Sequence, residues 1–134
     1  MKKYILSLAI VALVFSFGCN ESVSQGKSKV IDVTSFAKKI KLDKSAVILD
    51  MRTDGEVEEG MVEGAAQLDY LGDGFYDVIQ ELDKSKTYYI YCRSGNRSGK
   101  AAAEMKKVGL TTVDMEGGII SWKANGKALI KNEK

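Results

Sequence analysis

The chain has 134 residues, with 20 Lys and Arg against 18 Asp and Glu, two Cys, and neither His nor Pro. This length suits a single domain of the commonest size. Without histidine the chain cannot form a Ser-His-Asp triad, a Cys-His dyad, a histidine-ligated metal site or an imidazole pH switch. Two cysteines are too few for a four-thiolate zinc site or a disulfide-framed miniprotein. Any catalytic nucleophile must therefore be activated without imidazole.

The first 18 residues predict a signal peptide. Lys2 and Lys3 form a positive segment, and an apolar run of 14 residues follows from Tyr4 to Phe17. As a helix this run would be about 21 Å long, well short of the roughly 30 Å of a bilayer core. The segment is therefore typical of an export signal and not of a membrane span.

Cys19 follows the signal peptide directly. The segment Ser16–Cys19 resembles the lipoprotein box of bacterial exported proteins, in which the cysteine becomes the acylated first residue. Ser16 stands where such boxes usually carry Leu, and Ser16 and Gly18 also fit ordinary signal-peptidase cleavage before Cys19. We expect an exported protein on the periplasmic side of a bacterial membrane, lipid-anchored at Cys19, with a soluble secreted protein as the alternative. Residues 19–29 are polar and predict a tether, and residues 30–134 form the domain.

Removal of the signal peptide changes the charge balance. Both charged residues that are lost are Lys, so 18 basic residues face 18 acidic ones over the remaining 116. A neutral mature chain argues against a nucleic-acid partner. We expect a monomer that contacts the membrane through its lipid anchor only.

From residue 30 onward, short apolar strands alternate with amphipathic helices. The strands are predicted at 30–33, 46–49, 65–70, 87–91 and 111–115. The helices are predicted from Thr34 or Ser35 to about Lys41, from a Thr53 capping box to Gly60, over 75–82, over 98–108, and after Gly117-Gly118. This alternation predicts an α/β domain with a parallel sheet and helices on both faces. In such folds the functional site lies at the carboxyl ends of the strands.

Cys92 stands at that position, directly after the fourth predicted strand and before a helix. A thiol reacts as its thiolate, and loop N–H groups and a helix N-terminus can converge on the sulfur. Arg93 and Arg97 add positive charge, Gly95 permits a tight reversal, and Asn96 tolerates unusual dihedrals. We expect these features to lower the pKa of the thiol and to hold a persulfide or an oxyanion. The alternative is a buried structural cysteine beside a solvated basic loop.

Four motifs in chain order resemble those of single-domain rhodaneses, the thiosulfate sulfurtransferase family. They are Leu49–Arg52 (LDMR), Gly60–Ala65 (GMVEGA), Tyr91–Ser98 (YCRSGNRS) and Glu116–Trp122 (EGGIISW). The resemblance covers about residues 30 to 128 and implies a three-layer α/β/α fold with a five-stranded parallel sheet. Met61 and Glu63 replace the family's usual His and Pro. Neither position is catalytic in the family, so we expect only a locally altered helix exit.

The resemblance implies sulfur transfer through a persulfide on Cys92. The thiolate would attack the outer sulfur of a small anionic donor such as thiosulfate, and cyanide or an acceptor thiol would then remove that sulfur. The resemblance implies no cofactor and no metal. The residues implied in binding the donor and the persulfide are those of the loop: Arg93, Ser94, Gly95, Asn96, Arg97 and Ser98.

Asp50, Arg52 and Glu56 are predicted to support this loop. One interpretation is electrostatic support of the active face. The favoured one is an internal ion pair, for example of Arg52 with Glu56, that fixes the strand exit. Trp122 and the Gly117-Gly118 turn are predicted to be packing features.

Two other functions remain as alternatives. A cysteine phosphatase needs five residues between its cysteine and arginine, whereas four separate Cys92 from Arg97. A loop one residue short is a poor cradle for a tetrahedral phosphate. The second alternative is a non-catalytic rhodanese-like module for docking or redox sensing, although such modules often lack the cysteine that is present here.

Overall fold

The computed structural model describes residues 24–131. The predicted signal peptide, the lipidation candidate Cys19 and the start of the predicted tether lie outside the described residues. Among the helices of residues 24–131, none has the length and apolar character that a bilayer crossing requires.

Five strands and five helices alternate along the described chain. The strands are β1 (Ser28–Ile31), β2 (Val47–Asp50), β3 (Ala65–Gln67), β4 (Thr87–Tyr91) and β5 (Thr111–Met115). The helices are α1 (Val33–Leu42), α2 (Asp54–Val57), α3 (Phe75–Glu81), α4 (Asn96–Lys107) and α5 (Gly118–Ala124). The predicted strand-helix alternation is thus confirmed.

All five strands are parallel and lie in the order β1-β5-β4-β2-β3. Parallel neighbours need crossover connections, which the helices provide on both faces. Successive residues of β4 alternate between the two faces. Tyr88 and Ile90 pack with residues of α3 and α4, whereas Tyr89 and Tyr91 pack with residues of α1 and α5. The three-layer α/β/α fold with a five-stranded parallel sheet is therefore confirmed.

The N-terminal boundary of the domain was predicted too late in the chain. Strand β1 begins at Ser28, inside the predicted tether. The N–H of Gly26 donates to the Lys106 carbonyl at 3.1 Å, and a Cβ at this glycine would lie 1.9 Å from the Leu110 carbonyl oxygen. The tether prediction is thus wrong from Gly26 onward, because the backbone of this polar segment packs closely against the domain.

Local hydrogen bonds explain two other helix boundaries. Asp32 caps α1 by accepting a hydrogen bond from the Ser35 N–H at 2.9 Å, so that helix begins before the predicted Thr34 or Ser35 cap. The capping box of α2 forms as predicted, since the N–H of Thr53 donates to the Glu56 carboxylate at 3.1 Å. Glu56 is thereby held at the first turn of α2, close to the carboxyl end of the sheet.

Candidate active site

Cys92 lies at the carboxyl end of the central strand β4. Its neighbours β2 and β5 end at the same edge, where parallel α/β sheets form their sites. The side chain of Cys92 is only 1% exposed. The sulfur therefore faces the loop that leads into α4, and not open solvent.

The loop turns back on the sulfur at Gly95. This glycine has φ +98°, a left-handed conformation that is costly for residues with a Cβ. Its N–H donates to the Sγ of Cys92 at 3.1 Å, and the hydroxyl of Ser98 donates to the same sulfur at 3.5 Å. Asn96 begins α4 without a positive φ, so the tolerance for unusual dihedrals noted in its sequence is not used. The structure thus brings Gly95 and Ser98 to the sulfur, with glycine alone supplying the reversal.

Hydrogen bonds favour the thiolate of Cys92 against the effect of burial. Burial raises the pKa of the thiol. The Ser98 hydroxyl and the amides of Ser98, Gly95 and Ser94 outweigh burial and bring the pKa below its usual value. The direction agrees with the sequence prediction, but neither loop arginine is among these main causes.

Arg97 is engaged by a carboxylate of a neighbouring helix. Its two terminal nitrogens donate to the two carboxylate oxygens of Glu56, each at 2.6 Å. This bond from Arg97 lowers the pKa of Glu56 to about 2. The predicted pairing of Arg52 with the Glu56 carboxylate is therefore wrong. Arg97 instead ties the first turn of α4 to α2.

Arg52 forms its ion pair with Asp50. The two side chains are 2% and 0% exposed, and their closest N–O distance is 2.8 Å. Arg52 also donates to the main-chain carbonyls of Glu56 at 3.1 Å and Gly60 at 2.7 Å. An internal ion pair that fixes the exit of β2 was the favoured interpretation, and these contacts agree with it once the partner is corrected to Asp50.

The Gly117-Gly118 turn touches the Cys92 loop, which the sequence analysis missed. The N–H groups of Ile119 and Ile120 donate to the carbonyls of Cys92 and Arg93 at 2.9 and 3.0 Å. A Cβ at Gly118 would lie 2.3 Å from the Cys92 carbonyl oxygen. The turn therefore positions the loop as well as packing. The sequence feature that could have indicated this contact is the glycine pair after the last strand, because that strand ends at the same edge of the sheet as β4.

Arg93 is exposed and lines a cavity of about 440 Å³ beside the loop. Its other lining residues are two apolar side chains, two carboxylates and two cations that already have partners: Ile119, Ile120, Glu56, Glu59, Arg52 and Lys123. Lys123 pairs with Glu59 at 3.4 Å, while Arg93 makes no salt bridge with any residue of the 24–131 segment. An anion that enters this cavity would therefore meet Arg93 as an unpaired cation.

The sequence analysis also missed Asp114, a buried residue of β5. Its side chain is 3% exposed, and its Oδ1 has no hydrogen-bond partner. Burial raises the pKa of Asp114 to about 6, against the opposing effects of the Ser98 hydroxyl and the Met115 amide. The sequence feature that could have identified Asp114 is a carboxylate inside a predicted strand, because strands of a parallel sheet are buried on both faces.

Residues 32–125 match the family model described as the rhodanese-like domain. This chain belongs to the rhodanese-like family. Among curated relatives, "Putative sulfurtransferase YtwF" of Bacillus subtilis is 35% identical, over 74% of this chain and 94% of that protein. A protein of Allochromatium vinosum named "Sulfurtransferase" is 32% identical, over 77% of this chain and 95% of that protein.

Solved structures of rhodanese-like proteins share the fold. A rhodanese-related protein of Thermoplasma volcanium superposes with a TM-score of 0.69 and 27% identity, and the match covers 78% of this chain and 99% of that one. A rhodanese-like domain protein of Staphylococcus aureus gives a TM-score of 0.68 and 29% identity, with the same coverages of 78% and 99%. The five-stranded parallel sheet described above is thus the fold of this rhodanese-like family.

Proposed function

We propose that this rhodanese-like protein is a sulfurtransferase that carries sulfane sulfur as a persulfide on Cys92. The observation that carries the proposal is the set of donors around the sulfur, namely the Gly95 N–H at 3.1 Å and the Ser98 hydroxyl at 3.5 Å. These donors lower the pKa of Cys92 in spite of its burial. The names of the two sulfurtransferase relatives support the same activity.

The first half-reaction uses thiosulfate as the sulfur donor. The thiolate of Cys92 attacks the outer sulfur of thiosulfate and forms a new S–S bond. The S–S bond of thiosulfate breaks, and its electron pair leaves with sulfite. Cys92 then carries a persulfide anion, and the total charge is unchanged.

The second half-reaction returns the enzyme to its starting state. Cyanide or an acceptor thiolate attacks the outer sulfur of the persulfide. The S–S bond breaks, and its electron pair returns to Cys92 as the thiolate, with thiocyanate or a new persulfide as the product. No proton needs to move in either step when both nucleophiles are anions, which suits a chain without histidine.

The loop from Arg93 to Ser98 binds the donor and the persulfide in this proposal. Its N–H groups and the N-terminus of α4 form a concave arrangement that favours an anion. Arg93 attracts the anionic donor into the cavity beside the loop. The near-complete burial of Cys92 favours a compact donor such as thiosulfate.

Incubation with thiosulfate followed by intact-mass analysis tests the persulfide. We expect the protein to gain the mass of one sulfur, and Cys92→Ser to gain none. Cys19→Ser is the matched control and should gain sulfur as the parent does. A parent protein without an adduct would contradict the proposal and favour the non-catalytic module. Turnover with thiosulfate or mercaptopyruvate, each with cyanide or a dithiol, then identifies the donor and acceptor classes.

The location that we propose is the periplasmic side of a bacterial membrane. Residues 1–18 direct export, and Cys19 carries the lipid anchor. We also propose that the protein is a monomer and binds no nucleic acid. Metabolic labelling with a fatty acid tests the anchor, since label should enter the parent protein and not Cys19→Ser. An exported but unlabelled parent would mean a soluble secreted protein.

A further inference from the structure

One buried carboxyl lies behind the Cys92 loop and has no part in the sulfur transfer proposed above. Asp114 is 3% exposed on β5, and its Oδ1 has no hydrogen-bond partner. Its Oδ2 would lie 3.9 Å from a Cβ at Gly99, so the carboxyl faces the first turn of α4. A buried polar atom without a partner is costly, and the one at Asp114 lies close to the candidate active site.

Ser98 belongs to the helix turn that this carboxyl faces, and it also contacts the sulfur. Ser98 is fully buried, and its hydroxyl donates to the Sγ of Cys92 at 3.5 Å. In the structure this hydroxyl makes its hydrogen bond to the sulfur and none to Asp114, but it lies close enough to oppose the increase in the pKa of Asp114 that burial causes. A serine hydroxyl has one proton to donate. Ser98 can therefore donate to the sulfur or to the carboxylate, but not to both.

Little else near Asp114 competes with Ser98. In the sheet, Asp114 is paired with Val30 of β1 and Ile90 of β4, both apolar. Burial and the Met115 amide are the other causes of the shifted pKa of Asp114. No charged side chain of residues 24–131 is among the main causes of that shift.

The other titratable side chains on the elements around Asp114 either bond to other groups or are exposed to solvent. On this face of the sheet, β4 carries Tyr88 and the residue after β4 is Cys92. The Tyr88 hydroxyl donates to the Asp83 carbonyl at 2.9 Å. On α4, Arg97 pairs with Glu56. Lys100 of α4 and Lys29 of β1 are exposed to solvent.

We propose that Asp114 is a positioning residue whose protonation state decides whether Ser98 donates its proton to the sulfur of Cys92. The neutral carboxyl donates its own proton to the Ser98 oxygen, and Ser98 then donates to Sγ. The ionised carboxylate accepts the Ser98 proton and adds a negative charge behind the sulfur. The carboxyl exchanges its proton with solvent, and no covalent bond of the sulfur changes.

This inference rests on the proposed function, because the sulfur of Cys92 is the reacting atom in the proposed sulfur transfer. Loss of the charge at Asp114 should make the thiolate easier to form. We expect Asp114→Asn to lower the pKa of Cys92 by about one unit, which is roughly a tenfold higher thiolate fraction below the midpoint. Ser98→Ala should raise that pKa, because the sulfur loses a donor.

The ultraviolet absorbance of the thiolate measures this titration without requiring access to the buried sulfur. The full chain with Cys19→Ser serves as the parent, and the same chain with Cys92→Ser gives the baseline. Thr112→Val is the matched control, since the Thr112 hydroxyl is also buried without a partner on the same strand. That variant should leave the Cys92 midpoint unchanged.

A double variant separates the route through Ser98 from direct repulsion. When Ser98 is already replaced by Ala, adding Asp114→Asn should change the pKa of Cys92 much less than it does in the parent. An unchanged midpoint in Asp114→Asn would overturn the proposal. A shift that persists in full without Ser98 would also overturn it, because the coupling would then bypass the hydroxyl.

A measurement on the carboxyl itself covers the case in which Asp114→Asn does not fold. Linkage is reciprocal, so the sulfur must affect Asp114 as Asp114 affects the sulfur. Infrared titration of the aspartate-labelled parent should show a buried carboxyl whose midpoint falls in Cys92→Ser. An unmoved midpoint would contradict the coupling. These readouts follow ionisation and not sulfur transfer, so a protein that gains no sulfur but shows the coupling would refute only the proposed function.

Discussion

The guanidinium of Arg97 and the carboxylate of Glu56 form a two-point ion pair, with both N–O distances at 2.6 Å. The pair joins the first turn of α4, which carries Ser98, to the short helix α2. Charge-assisted bonds in this geometry are directional as well as strong. Arg97 therefore holds the cysteine loop in place mainly through its contact with Glu56, since its own charge is already balanced.

Glu56→Gln should lower stability near neutral pH and much less in acid. The pKa of Glu56 is lowered to about 2 from 4.5, so the unfolded chain binds more protons between these values. The stabilisation is present above about pH 4.5 and is lost as pH falls towards 2. For a half-buried pair we expect about 1–2 kcal/mol. Urea unfolding at neutral pH and at about pH 3 measures it.

Glu104→Gln provides the control for this experiment. Glu104 pairs with an exposed lysine, Lys107, at 2.9 Å, and such surface pairs contribute about 0–1 kcal/mol. Its loss should have a small effect at both pH values. A Glu56→Gln effect of the same size at neutral and acid pH would show that the carboxylate charge is not its origin.

Arg52→Met should be among the most destabilising single substitutions. It would leave the Asp50 carboxylate buried without its counter-ion and would remove donors from the Glu56 and Gly60 carbonyls. Breaking a buried pair on one side costs about 3–5 kcal/mol. The double variant Asp50→Leu/Arg52→Met should recover part of this loss, because no unpaired charge remains. Equal or greater destabilisation in the double variant would argue against a charge effect.

The sequence predicts the sheet and the position of the nucleophile well, because both depend on local patterns. The run of aromatic and β-branched residues predicts strand β4 at its observed bounds, Thr87–Tyr91. The parallel arrangement then places Cys92 at the carboxyl edge. Gly95 likewise has the positive φ that its place in the loop predicts.

Contacts between distant segments are what the sequence does not predict. Glu56 lies near Arg52 in sequence but pairs with Arg97, which is 41 positions away. Which arginine pairs with Glu56 depends on how α2 and α4 pack against each other. It also depends on Arg52 being paired with Asp50. Asp114 stands out as a carboxylate in a buried strand, but its relation to Ser98 exists only once α4 packs on β5.

Gly118→Ala should slow persulfide formation, because the added Cβ would displace the Cys92 loop. Its Cβ would lie 2.3 Å from the Cys92 carbonyl oxygen, at a residue with φ +56°. The loop must then move, and a displacement of about 1 Å at a reacting group can cost roughly a hundredfold in rate. The rate of sulfur gain from thiosulfate, followed by intact mass, provides the measurement.

Gly126→Ala is the control for Gly118→Ala. Gly126 also has a positive φ, +69°, but a Cβ there would have no heavy atom within 4 Å. The variant carries a similar backbone penalty of about 1–2 kcal/mol without touching the loop. Equal loss of sulfur gain in both variants would mean that strain, and not displacement of the Cys92 loop, is responsible.

Arg93→Ala should weaken donor binding without changing the ionisation of Cys92. Arg93 lines the cavity beside the loop, whereas the main causes of the lowered pKa are the Ser98 hydroxyl and loop amides. We expect KM for thiosulfate to rise roughly twofold to fivefold, the scale of an exposed charge contact, and the difference to shrink in high salt. Lys100→Ala, at an exposed lysine of α4, should change neither quantity. The ultraviolet absorbance of the Cys92 thiolate across pH completes the test, because a titration shifted to higher pH in Arg93→Ala would instead assign Arg93 to thiolate stabilisation.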